Sequence, residues 1–145
     1  MRQLIAVTGQ SNRGKSRSVV WAYHCLRCRY PDAKVEHVPG TINARYVDVG
    51  CIVTIGSIKI GIESQGDPGS RLLAKSLPLF AERGCQLIVC AARNGEMFAG
   101  VEKFSIENGY EVVRICKTQL PQEEREEAEH ATAQEILQAV ERHLK

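Results

Sequence analysis

The sequence predicts an α/β fold built on a mostly parallel sheet with an antiparallel edge hairpin, and three patterns carry that prediction. Short apolar runs alternate with helical segments along the chain, as in sheets whose strands are joined by crossover helices. The run CQLIVCAA (85–92) is almost continuously apolar, as in a central strand buried on both faces. The stretch VDVGCIVTIGSIKIGIES (47–64) holds two β-rich runs around Gly56-Ser57, a pair suited to a tight hairpin turn. At 145 residues the chain is long enough to bury a proper core as one domain spanning 1–145.

Taken in order, LIAV (4–7) is a strand of the fully buried type. Val19, Val20, Tyr23 and Leu26 then recur at helical spacing, so a helix is expected over 15–30, ended by Pro31. AKVEHV (33–38) reads as a short strand and PGTINA (39–44) as a loop. The hairpin follows, with strands near 49–55 and 58–63, and SQGDPGS (64–70) is a loop rich in turn residues. A helix over about 70–83 should stop at Gly84, and the apolar strand 85–92 comes next. A short helix near 98–108 ends at Asn108-Gly109, before the strand YEVVRIC (110–116). Pro121 opens the last helix, whose early carboxylates suit its positive end. Ile136, Leu137, Val140 and Leu144 give that helix its apolar stripe.

Composition narrows the function classes. The chain is 43% hydrophobic and 25% charged, ordinary for a soluble globular protein. No apolar stretch approaches the roughly 20 residues of a membrane span, and the amino-terminal apolar run is too short for a signal peptide, so a cytoplasmic protein is expected. A net charge of +2 gives no clear nucleic-acid signal. Basic residues nonetheless crowd the first thirty positions (Arg13, Lys15, Arg17, Arg27, Arg29), which hints at an anion site near that end. Of six cysteines, Cys51, Cys85, Cys90 and Cys116 sit in or beside apolar runs, where thiols pack as small hydrophobes. Cys25 and Cys28 have metal-like spacing, but no second pair completes a site.

One segment carries chemistry. GQSNRGKS (9–16) fits G-x-x-x-x-G-K-[ST] without a mismatch, and it stands between a buried strand and an amphipathic helix. Backbone N–H groups from Asn12 through Arg13 and Gly14 to Ser16 would form an anion nest. Gly9 and Gly14 permit close backbone approach, and Asn12 tolerates a left-handed conformation. The helix starting at Lys15 aims its unsatisfied N–H groups at the same anion. Lys15 should reach the β- and γ-phosphates, and the Ser16 hydroxyl should ligate Mg²⁺. Arg17, one residue on, adds positive charge to the site.

GQSNRGKSRS is similar to the G-x-SN-x-GKSS loop of bacterial GTPases of the translation-factor class. The alternation of strands and helices resembles the P-loop NTPase superfamily, in its kinase–GTPase division, over nearly the whole chain. That resemblance implies a three-layer P-loop fold and an acidic residue at the end of a neighbouring strand that holds Mg²⁺, usually through water. Glu63, closing IKIGIE, is the candidate. Glu63-Ser-Gln-Gly66 is similar to the D-x-x-G element with Glu for Asp, and by that likeness Gly66 offers its N–H to the γ-phosphate. Thr41 would match the threonine that completes the metal shell, and Asp67 or Gln65 would orient or deprotonate a nucleophile.

Guanine selection in that family rests on N-K-x-D, which this chain lacks; ATP is therefore the default nucleotide, with GTP still open. Arg71 and Arg93, just beyond strand ends or in neighbouring loops, are candidates to stabilise charge on a transferred phosphoryl group, although a solvated loop role is the plainer reading of each. Three functions fit: a Mg²⁺-dependent NTP hydrolase, a small kinase with RNGEMFAG (93–100) as an abbreviated lid, and a nucleotide-binding subunit serving an unknown protein partner.

Overall fold

The computed structural model describes residues 2–9, 15–38, 49–66, 69–116 and 122–144, with the side chains of 15, 16 and 122–126 outside that set. Asn12, Arg13, Gly14, Thr41 and Asp67 therefore lie outside the described residues.

Six strands form one sheet: β1 (Arg2–Gly9), β2 (Lys34–His37), β3 (Gly50–Ile55), β4 (Ile58–Glu63), β5 (Leu87–Arg93) and β6 (Tyr110–Cys116). Their order is β2-β3-β4-β5-β1-β6. β1 pairs in parallel with β5 and β6, and β4 with β5, while β3 runs against both β2 and β4. Continuous apolar sequence explains the centre: Leu4 to Val7 and Leu87 to Ala92 are buried along their whole length.

The expected hairpin forms across Gly56-Ser57, but it is not the edge of the sheet. The short polar strand β2 lies outside it, and β2–β3 is the antiparallel edge pair. In β2 only Val35 is partly covered, while Lys34, Glu36 and His37 are exposed, a composition that blunts an open edge.

Helices cover both faces. On one face α1 (Lys15–Arg29) and α4 (Gln122–Leu144) bring Val19, Ala22, Leu26, Ile136 and Val140 against Ile5, Val7, Ile62 and Val89. On the other, α2 (Leu77–Glu82) and α3 (Glu96–Asn108) bring Leu77, Phe80, Phe98 and Val101 against Leu4, Ala6, Ile88 and Cys90. The alternation of side chains along each strand divides the two cores. Among the described residues no helix is long and apolar enough to cross a membrane.

Two helices depart from the sequence expectation. The helix expected over 70–83 opens as a π-turn, Leu72–Ser76, before α2 continues it. The Leu77 N–H reaches back to the Leu72 carbonyl, five residues away, and Pro78 then has no N–H to extend the ladder. α3 begins at Glu96, earlier than expected, because Gly95 (φ 90°) reverses the chain directly after β5. Residues 96–100 are consequently the first turns of α3, and the reading of RNGEMFAG as an abbreviated lid is corrected.

Candidate functional site

Strands β1 and β5 are parallel neighbours, and Gly9 opposite Arg93 is the last pair of their ladder. Beyond Gly9 the chain enters α1 on one face, whereas beyond Arg93 it turns through Asn94 and Gly95 into α3 on the other. Adjacent strands whose following helices part to opposite faces leave a crevice at their carboxyl ends, where ligands bind in open α/β sheets. The GQSNRGKS segment starts at this crest, with Gly9 as the last residue of β1 and Lys15 as the first of α1.

Backbone contacts bind the crest together. The Asn94 N–H donates to the Gly9 carbonyl (3.2 Å) and the Arg93 N–H to the Gly66 carbonyl (2.9 Å). Gly66 lies so close to β5 that a Cβ on it would stand 1.9 Å from the Ala91 oxygen. Gly9, Gly66 and Arg93 are thus brought to one edge of the sheet, with the Arg93 side chain exposed there. Arg17 is exposed in the first turn of α1. The Lys15 and Ser16 side chains, and Asp67, fall outside the described set.

Glu63 is placed differently from the expectation of a neighbouring strand, because β5 separates β4 from β1. The register sets Glu63 opposite Cys90 and Cys90 opposite Ala6. Glu63 therefore sits three residues short of the Gly9 level, roughly 10 Å down the strands and two strand spacings across. Ile60 and Ile62 face the α1 side, so Glu63, one residue further, faces the α2 side.

There its carboxylate is fully engaged. Oε1 accepts from Arg71 Nε (2.7 Å) and Ser76 Oγ (2.6 Å). Oε2 accepts from Arg71 Nη2 (2.9 Å) and the Gln65 N–H (3.1 Å). A carboxylate has about four lone-pair positions, and all are used. Burial pushes the Glu63 carboxyl above its ordinary range, and the bonds from Ser76, Gln65 and Arg71 pull against that shift. In this arrangement Glu63 has no lone pair for a cation, and among the described residues no three His, Cys, Asp or Glu gather into a metal-binding group.

Sequence reasoning passed over a second cluster on the α3 side of the crevice. Arg114 of β6 donates from Nε to Thr8 Oγ1 (3.0 Å) and from Nη2 to Asn94 Oδ1 (2.8 Å), with its guanidinium 4.2 Å from the centre of the Phe98 ring. It holds the turn that joins β5 to α3. Alternation in YEVVRIC sets Arg114 on the face of Tyr110 and Val112, but nothing in that pattern names its partners. Ser76 was missed as well, since its role depends on the π-turn.

Comparison of the chain with protein-family models, with curated proteins and with solved structures gives no match.

Proposed function

We propose that this protein binds a nucleoside triphosphate at the crevice between β1 and β5 and hydrolyses it. One observation carries the reading: GQSNRGKS begins at the crest where Gly9 faces Arg93 and where α1 and α3 part to opposite faces. In this reading backbone N–H groups of Asn12, Arg13, Gly14 and Ser16 cradle the phosphates, Gly9 permits their close approach, and Arg17 adds positive charge. Lys15 neutralises the β- and γ-phosphates, and Gly66 offers its N–H to the γ-phosphate from across β5. Arg93 meets charge that develops on the transferred group, and Asp67 orients the attacking water. Mg²⁺ supplies charge neutralisation through Ser16, while Glu63, with its lone pairs spent, does not fit as its ligand.

ATP is the favoured nucleotide on the sequence argument, with GTP the competitor. Residues 96–100 belong to α3, with Met97 and Phe98 buried, and this supports hydrolysis over transfer to a metabolite under a lid formed by that segment. Calorimetric titration with ATP, GTP and their diphosphates, with and without Mg²⁺, tests binding, and phosphate release without an added acceptor tests the reaction. Micromolar binding of a triphosphate with slow release supports the reading. No binding of either triphosphate rejects it, and release only with an added acceptor rejects hydrolysis.

A further inference from the structure

We propose that Arg71 and Ser76 are positioning residues for the phosphate site: with Glu63 they form a buried lock that sets the Gln65–Gly66 turn against the crest of β5. The inference rests on the nucleotide reading above and adds to it the device that places Gly66.

The lock is built in a chain of contacts. Glu63, fully buried at the end of β4, receives Arg71 on both oxygens. Arg71 Nη1 then donates to Gln65 Oε1 (2.9 Å), the Gln65 N–H returns to Glu63 Oε2, and Ser70 Oγ donates to the Gln65 carbonyl (3.3 Å). These bonds bend the chain as it leaves β4. The next residue is Gly66, pressed on the Ala91 oxygen and bonded to the Arg93 N–H. Where the lock holds Gln65 therefore decides where Gly66 stands relative to the Gly9–Arg93 pair.

The π-turn explains how one carboxylate collects two side chains from the same helix. Positions five apart on an α-helix point about 140° from each other at 100° per residue. The i→i+5 turn brings Arg71 and Ser76 one turn apart, so both face Glu63. Packing alone does not ask for this arrangement, because replacing a buried ion pair by well-packed apolar residues is often neutral or stabilising. A buried pair that also dictates the path of a loop gives specificity of conformation, and π-turns gather at functional sites.

The test is calorimetric titration of Mg²⁺-ATP and Mg²⁺-ADP into wild-type protein and the Ser76→Ala, Ser76→Thr, Arg71→Lys and Glu63→Gln variants. Ser76→Ala removes one bond and leaves the Arg71–Glu63 ion pair, so this variant is expected to fold. The expected result is a loss of about tenfold in ATP affinity for Ser76→Ala and Arg71→Lys, with ADP affinity held within about twofold. Ser76→Thr, which keeps the hydroxyl, should restore ATP binding. An unchanged ATP-to-ADP ratio in folded Ser76→Ala and Arg71→Lys overturns the lock, as does an equal loss for both nucleotides. Loss of Mg²⁺ dependence in Glu63→Gln alone overturns it in favour of a metal ligand. If the wild-type protein binds neither nucleotide, the nucleotide reading itself has failed, and that arm shows it separately.

Discussion

Gly66 and Ala91 touch backbone to backbone: the Gly66 Cα lies where any side chain would drive its Cβ to 1.9 Å from the Ala91 carbonyl oxygen. Neither backbone yields easily there, since Ala91 lies in a buried central strand and Gly66, in the turn after β4, is tied to Arg93. We expect Gly66→Ala to lower stability by about 1–3 kcal/mol, toward the upper end because backbone has to move. Urea unfolding measures the loss, and a variant as stable as wild type would contradict this close approach.

Tyr110 ties β6 to the start of β5. Its hydroxyl donates to the Cys85 carbonyl at 2.6 Å in a buried setting. Removing one partner of a buried bond costs the desolvation of the other, so Tyr110→Phe should lose about 1–3 kcal/mol in the same assay.

The six thiols should separate by burial. Cys51, Cys85 and Cys90 are buried, and burial pushes each thiol up to about 12. Almost no thiolate forms in them at pH 8, whereas Cys28 and Cys116 are exposed and Cys25 is half-buried. Disulfide-exchange titration of the native protein should label Cys28 and Cys116 first and Cys25 later. The other three should react only on unfolding. Rapid labelling of Cys90 in native protein would contradict the position of β5.

His143 near the end of α4 sits 2.9 Å from Gln3 of β1, and burial, then nearby positive charge including Arg142, lowers its pKa below 6.5. The folded state therefore holds this proton less well than the unfolded chain. Its stabilising contribution is present above pH 6.5 and is lost as pH falls through the lowered value. Thermal melts between pH 7.5 and 5 should show this loss in wild type and a shallower one in His143→Gln.

The amino-acid pattern made much of the fold legible, and the limits are physical. Continuous apolar runs gave away β1 and β5, and alternation with Gly56-Ser57 gave the hairpin, because burial and turn geometry write directly into local sequence. Strand order does not: nothing near Glu63 announces that β5 inserts between β4 and β1. The π-turn was equally hidden, since a 3.6-residue period cannot show one slipped bond, and with it went the meeting of Arg71 and Ser76 on Glu63. Arg114 stayed unnoticed because Thr8, Asn94 and Phe98 come together only through the parallel register of three strands. The proposed phosphate site rests on motif spacing between a strand and a helix, and residues 10–14 of that motif lie outside the described residues.

The central claim is that the phosphates of a nucleoside triphosphate sit at the crest where β1 passes into α1. Lys15→Ala tests it most directly, since it removes the cation proposed to face the β- and γ-phosphates. We expect a folded Lys15→Ala protein, with wild-type melting, to bind Mg²⁺-ATP and Mg²⁺-GTP at least about a hundredfold more weakly than wild type in calorimetric titration. Unchanged affinity for both triphosphates in that variant would contradict the placement of the nucleotide at this crevice.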